Sequence, residues 1–316
     1  MRDVLRRLIA GEISEDEAVA ELRQLELGEL SGRARLDLGR YLRRGIPEVV
    51  LAPGKSPREA ARLVIAMAER QGQGLVSRMT DDHASALTEA ASAAHVELVR
   101  YHSSARALRK GFSPEAVAAR VGILTAGTSD VAVADEARMV IEACGLEVRM
   151  ESDLGVAGLH RFVRPLASML EWGADVIVVA AGMDGVLPGL VAGLIDLSVI
   201  GLPVSTGYGR GGAGEAALTT MLQSCSTGLT VVNIDNGVGA GAAAVLIASR
   251  AAQGRRGRST AMTANTTAPA ISNPKTTPAT AREMSAPPGI AKNRPKTRIA
   301  ARTATSSHGK PRRRRP

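Results

Sequence analysis

The sequence predicts an α/β protein: a parallel sheet flanked by helices in three layers, with a small N-terminal α/β region and a disordered basic C-terminal tail. Three observations predict it. Beyond Val121, runs of Val, Ile and Leu alternate with helical stretches, the pattern of strands buried on both faces. Ahead of them, shorter apolar runs are interleaved with helices. After Gln253 the composition turns to Thr, Ala, Pro, Lys and Arg and closes on Pro-Arg-Arg-Arg-Arg-Pro, with too little apolar surface to offset ordering entropy. These shifts place the boundaries at 1–115, 116–253 and 254–316.

Charge divides along the same lines. Of the net +9, residues 254–316 carry +14, fifteen Lys or Arg against Glu283 alone, so the rest of the chain is mildly acidic at −5. A basic pI therefore describes only the tail. The tail has no Phe, Tyr or Trp on which a base could stack, so no specific nucleic-acid partner is expected. With two Phe, three Tyr and one Trp in 316 residues, the core is aliphatic. Cys144 and Cys225, 81 residues apart, form neither a disulfide framework nor a metal pattern, which fits a reducing cytoplasm. The amino terminus lacks an apolar signal core. The most apolar stretch, Val176–Val204, is cut by Asp184, Pro188, Asp196 and several glycines, so no membrane is expected as a partner.

Taken in order, residues 2–26 read as two short helices, the second opened by Ser14 with Glu17 three positions on. Residues 33–44 read as a basic helix closed by Gly45. A short strand running into a loop follows over 46–56, then a helix over 57–70 and strands at 74–79 and 96–101 around an alanine-rich helix. Further on, strands are expected at 122–127, 146–150, 175–182, 197–204 and 229–235. Helices are expected at 129–144, 158–172, 186–195, 213–225 and 239–251. Ligands of such sheets bind beyond the carboxyl ends of the strands, which directs attention to the loops after 127, 151, 182, 205 and 235.

Gly127, Thr128, Ser129 and Asp130 join a strand to a helix. Glycine, hydroxyls and helix amides make an anion cradle, although Ser129 or Asp130 could simply cap the helix. Gly182, Met183, Asp184 and Gly185 put a carboxylate at a strand end, as an acid or base or as a turn residue. Ser205, Thr206, Gly207, Tyr208 and Gly209 have the composition of a substrate-wrapping loop or of a surface connector. A lone cysteine such as Cys225 is ordinarily a small buried hydrophobe, and Cys144 is read that way. Asn233, Asp235 and Asn236 follow the last strand. Histidines 83, 95, 102, 160 and 308 show no metal spacing. His160, beside Arg161, is the one near the expected cleft.

Together these strings resemble known families. Gly127-Thr128-Ser129-Asp130 followed by a helix is similar to the phosphate-binding start of the aminoimidazole ribonucleotide (AIR) carboxylases and mutases of purine synthesis. Further motifs resemble the LarB family of nickel pincer nucleotide carboxylase/hydrolases. They are Arg35, Asp37, Gly39, Arg40, Arg43, Gly45, Pro47 and Glu48 with Gly54-Lys55-Ser56, then the strings at 156–161, 181–188, 205–209, 221–225 and 231–241. The resemblance covers about 33–245.

It implies a PurE-like fold and carboxylation of the pyridinium ring of nicotinic acid adenine dinucleotide by CO2 or bicarbonate. It also implies hydrolysis of the dinucleotide's phosphoanhydride, giving pyridinium-3,5-biscarboxylic acid mononucleotide and AMP. That product leads to the nickel pincer cofactor used in lactate racemase maturation. Cys225 is then the nucleophile, Asp184 and His160 are acid/base candidates, and the loop residues named above bind substrate. No resident cofactor is implied, and Mg2+ is left open. The purine relatives assemble as octamers, so a homo-oligomer with sites near subunit interfaces is expected. The chain departs from the family in having Asp184 where Glu is usual and in the details of residues 207–220; the tail has no counterpart. The alternatives are an AIR carboxylase or mutase of purine synthesis, which needs no thiol, and a non-catalytic nucleotide-binding scaffold whose tail contacts RNA.

Overall fold

The computed structural model describes residues 2–23, 28–30, 34–36 and 40–265, which fall within one compact unit. The part of the expected basic tail beyond 265 lies outside the described residues.

The chain opens with helices α1 (Arg2–Ile9) and α2 (Glu15–Arg23). Ser14 and Glu17 close the expected capping box: Glu17 N–H donates to Ser14 Oγ at 3.2 Å, and Ser14 N–H to Glu17 Oε2 at 2.8 Å. The basic helix expected over 33–44 is a correction. Strands β1 (Gly28–Leu30) and β2 (Ala34–Leu36) form an antiparallel pair, and helix α3 covers only Arg40–Arg44. Pairing of Ala34–Leu36 with Gly28–Leu30 overrides the helical charge pattern; positions 33 and 37–39 of the expected helix lie outside the described residues, and Gly45 ends α3 at φ +69°.

Next come β3 (Val49–Leu51), α4 (Pro57–Gln71), β4 (Gln73–Ser77), α5 (Asp81–Ala93), β5 (Val96–Tyr101) and β6 (Ser104–Arg109). The four strands make a mixed sheet of order β3-β4-β6-β5, with β3 parallel to β4 and the other pairs antiparallel. Strand β6 was not expected, because Ala and Arg are poor strand formers and its neighbours recruit it. Val50, Val64, Met67, Val76 and Leu87 form this sheet's own core with α4 and α5.

The larger sheet is built from β7 (Val117–Thr125), α6 (Val131–Ala143), β8 (Leu146–Glu151), α7 (His160–Trp172), β9 (Val176–Ala181), α8 (Leu187–Ala192), β10 (Ser198–Pro203), α9 (Glu215–Leu222), β11 (Leu229–Val231) and α10 (Gly237–Asn265). Its order is β11-β10-β9-β7-β8, and every pair is parallel. All six residues of β9 are buried. Val176, Val178 and Ala180 face the layer of α6 and α10; Ile177, Val179 and Ala181 face that of α7, α8 and α9. Continuous aliphatic runs are what a doubly covered parallel strand requires.

Several bounds differ from expectation: β7 begins at Val117 rather than 122, and α8 and α9 are shorter than 186–195 and 213–225. β11 stops at Val231, so Asn233–Asn236 is loop. α10 runs to Asn265, through twelve residues assigned to the tail, since no proline interrupts it before Pro269. Among the described residues no helix is long and apolar enough to cross a membrane.

The smaller sheet lies against α6. Gln73 Nε2 donates to the Ala143 carbonyl at 2.8 Å, Ser77 Oγ to Glu136 Oε1 at 2.7 Å, and Tyr101 OH to Glu142 Oε2 at 2.5 Å. Burial, then the bond to Glu142, pushes the Tyr101 phenol up to about 12, so it remains the donor. Helix α6 is thus covered by a sheet on each side, and its carboxylates face partners from the smaller one.

Candidate active site

The loops beyond the carboxyl ends of β7, β9, β10 and β11 meet around one buried carboxylate. Residues Thr128–Asp130 form a single 3-10 turn before α6, in place of the continuous helix expected from 129. Asp130, 3% exposed, accepts the Gly127 N–H at 2.8 Å through Oδ2 and the Thr206 hydroxyl at 2.8 Å through Oδ1. Asp130 therefore shapes the glycine turn and ties it to the β10 loop. Gly182 lies beside this pair: a Cβ there would come within 2.5 Å of Thr206 Oγ1 and 3.3 Å of Asp130 Oδ1. Gly207 packs on Met183 less closely, a Cβ falling 3.1 Å from its amide nitrogen. The glycines let three loops touch.

The β11 loop joins them. Asp235 accepts the Ser205 N–H at 2.8 Å and donates its own N–H to the Pro203 carbonyl at 2.9 Å. Asn233 and Asn236 stabilise the loop rather than reaching out: Asn233 Oδ1 accepts from Ile234 N–H, and Asn236 Oδ1 caps α10 through Gly239 N–H. Thr128, Ser129, Ser205, Tyr208 and Gly209 are exposed along the rim. Met183 and Asp235 take φ of +45° and +55°, left-handed conformations that non-glycine residues adopt at a cost and that cluster at functional sites.

A contribution absent from the sequence reading comes from the smaller sheet. Arg78, itself at φ +57°, donates to the Asp235 carbonyl and lies 3.5 Å from Glu136. No spacing signals this, because the partners are 157 and 58 positions away. Burial pushes the Glu136 carboxyl up from its usual range, against the hydrogen bond from Ser77 and the nearby Arg78 charge. The consequence has a definite sign. Glu136 contributes its full protonation-linked stability below the ordinary glutamate value and loses it as pH rises through the raised one, since the folded state holds the proton more tightly. The unfolding free energy of the native chain relative to Glu136→Gln should fall across that window in denaturant titrations; parallel pH profiles would refute this.

Cys225 is exposed, contrary to the ordinary expectation for a lone cysteine. It lies on the return from α9 to β11, towards the amino-terminal edge of the sheet, and opens onto a cavity of about 490 Å3. Gly185 and Val186, adjoining Asp184, form another wall of that cavity with Leu190; Gln223 and Ser224 supply polar groups. Asp184 is exposed and accepts the Val186 N–H at 3.4 Å in a local turn. The structure thus brings the Asp184 loop to the rim of the thiol's cavity, but no residue of 127–130 lines it. His160 is exposed at the start of α7, after a segment that packs on the β7 loop through Leu154 N–H to the Thr125 carbonyl at 3.0 Å. It does not line the cavity either.

Cys144 is buried, and burial pushes its thiol up to about 12, which makes it inert. A thiol reagent applied to the folded chain should therefore label Cys225 alone, one group per chain by intact mass, with the second appearing only in denaturant. Labelling of Cys144 in the folded chain would contradict this. Among the described residues no group of three His, Cys, Asp or Glu is placed to hold a metal ion.

Comparisons with known proteins agree with this anatomy. Residues 120–270 match the AIR carboxylase family, and residues 28–117 match the LarB/PurE-like N-terminal domain. "Uncharacterized protein MJ0165" of Methanocaldococcus jannaschii is 38% identical over 253 residues, 78% of this chain and 96% of its own. N5-carboxyaminoimidazole ribonucleotide mutase of Thermotoga maritima is 33% identical over 87 residues, 28% of this chain and 51% of its own. The crystal structure of Treponema denticola PurE2 aligns with a TM-score of 0.33 at 18% identity, over 49% of this chain and 96% of that one. Two adjoining family matches and a relative matched over nearly its whole length lead to one conclusion: the chain belongs to the PurE-like/LarB family, whose chemistry is carboxylase-related.

Proposed function

We propose that the chain carboxylates the pyridinium ring of nicotinic acid adenine dinucleotide and cleaves its phosphoanhydride, releasing AMP and a pyridinium-3,5-biscarboxylic acid mononucleotide. The observation that carries this reading is Cys225, an exposed thiol on a cavity that Gly185 and Val186, next to the Asp184 carboxylate, also line. Purine carboxylation has no use for a thiol, whereas a pyridinium ring does. Being electron-poor, the ring does not attack CO2. Addition of the Cys225 thiolate at the carbon para to nitrogen gives a dihydropyridine whose neighbouring carbon is an enamine nucleophile. That carbon bonds to CO2, loses its proton to a base, and expulsion of the thiolate restores aromaticity.

Asp184, adjoining Gly185 of the cavity wall and one methylene shorter than the family's usual Glu, is the first candidate base, and His160 is the second. The Gly127–Asp130 turn holds the mononucleotide phosphate through its amides and hydroxyls. Because that turn does not line the thiol's cavity, we infer a homo-oligomer in which a second copy brings its loops to Cys225. Leu190, which lines this cavity, and Leu194 and Leu222, near it in sequence, are exposed apolar side chains available for such a contact.

The test is mass spectrometry of the products from this dinucleotide with labelled bicarbonate. Labelled biscarboxylated mononucleotide and AMP are expected; absence of ring label with well-folded protein would overturn the reading. The match to a carboxyaminoimidazole ribonucleotide mutase favours a second reading, and that nucleotide is the substrate to try next.

A further inference from the structure

The turn joining β5 to β6 consists of His102 and Ser103, and it departs from what two-residue turns prefer. His102 takes φ +44°, where glycine or asparagine sits at little cost. It is held there from two sides. Met79 N–H donates to the Ser103 carbonyl at 2.7 Å, and His102 Nδ1 lies 2.5 Å from Asp135 Oδ2 on α6. The Asp135 side chain is 8% exposed, and its other oxygen has no hydrogen-bond partner among the described residues, Arg138 Nη1 being 3.9 Å away.

The imidazole is not buried with its partner: its side chain is 54% exposed. A carboxylate facing Nδ1 assigns the proton to that nitrogen and leaves the Nε2 lone pair free to take another. Nε2 has no hydrogen-bond partner among the described residues. The imidazole lines a cavity of about 300 Å3 with Thr80, Arg100, Ser103 and Ala132. Ala132 stands in the first turn of α6, two residues beyond Asp130, so this cavity reaches the start of the helix that follows the phosphate turn. Past Asp81, Ala84 and Arg100 it opens into a shallower groove of about 760 Å3 along α5 and β5.

We propose that His102 and Asp135 are the hydrolytic half of the site: Asp135 orients the ring, and His102 takes the proton from the water that cleaves the phosphoanhydride. The proposal rests on the dinucleotide reading above and adds the groups for its second bond change. Water oxygen bonds to one phosphorus as its proton passes to Nε2. The bond from that phosphorus to the bridging oxygen breaks, and the departing phosphate then collects the proton from the imidazolium. One water is consumed, two phosphate monoesters form, and no electrons are exchanged. Arg100 and Thr80 stand in the same cavity as donors to the departing phosphate, and the groove beyond has room for its nucleoside.

The dyad differs from the other contacts between the smaller sheet and α6. Tyr101 meets Glu142 buried and spent as a donor, while His102 presents an unused nitrogen to a cavity.

Full-length chains carrying His102→Asn, His102→Gln or Asp135→Asn, each shown folded by thermal unfolding and by Trp172 fluorescence, are given the dinucleotide and labelled bicarbonate. Ring carboxylation should persist in the His102 variants while AMP release falls about 100-fold or more, so that biscarboxylated dinucleotide accumulates. Asp135→Asn should lower kcat for AMP release without raising KM, and Asp135→Glu should restore part of it. Native-rate AMP release by a folded His102 variant overturns the proposal, as does an equal loss of both steps. A native chain that releases AMP without labelling the ring overturns the carboxylation reading instead, and AMP release still tests His102. A native chain that does neither overturns both.

Discussion

Cys225→Ala should lower ring carboxylation by a factor on the order of 1,000 or more, the loss typical of removing a covalent nucleophile, while leaving the fold intact. The thiol is exposed, no hydrogen bond holds it among the described residues, and it lies in a loop between α9 and β11 rather than in either core. Thermal unfolding should therefore move little, because surface substitutions away from special contacts stay within about 0.5 kcal/mol. Product mass spectrometry and a melting curve on the same preparation check both halves. Carboxylation at the native rate would remove Cys225 from the chemistry and with it the main reason to prefer a pyridinium substrate. Cys225→Ser should be as inactive as alanine, because an alcohol at neutral pH supplies almost no anion.

Asp130→Asn should have the next largest effect, through a different link. The carboxylate accepts two hydrogen bonds in a nearly closed environment. Asparagine is uncharged and has one acceptor atom, so Thr206 must turn from donor to acceptor or Gly127 N–H must meet an amide donor, and the charge-assisted pair is lost. Losing one charged hydrogen bond costs about 2 kcal/mol, about 30-fold in affinity if all of it is felt by the bound phosphate. KM should therefore rise in steady-state assays, with a smaller change in kcat. An unchanged KM would show that the turn does not hold phosphate.

The same variant tests the assembly. Equal mixing of Asp130→Asn with Cys225→Ala chains, unfolded and refolded together and assayed at substrate well below KM, where both parents are nearly inactive, should recover about a quarter of native activity if each site combines residues of two copies. No recovery would place the thiol and the phosphate turn of one chain in the same site.

How much was legible beforehand follows from the range of each signal. The parallel sheet was legible because strands buried on both faces must be aliphatic throughout, as Val176–Ala181 are, and because each is followed by a helix. The loops that meet around Asp130 were legible for the same reason, since strand direction alone decides which edge they share. The strand at 104–109 was not, because Ser-Ala-Arg-Ala-Leu-Arg has no intrinsic strand preference and pairs only because β4 and β5 offer edges. Nor was the helix past Gln253, where composition misled.

By itself, the sequence determined the order of the layers, the edge at which the site forms and the residues that carry the resemblance to a carboxylase family. These depend on apolar period, strand direction and local motif, all of which are short-range. Only the tertiary structure decided that Asp130 is a buried clasp on Thr206, that Arg78 and His102 of the smaller sheet reach the carboxyl edge of the larger one, and that Cys225 opens on a cavity apart from the phosphate turn. Those facts join residues 33 to 157 positions apart. The physical reason is that close packing selects such partners only after both sheets have formed, and nothing in either segment's own pattern records the other.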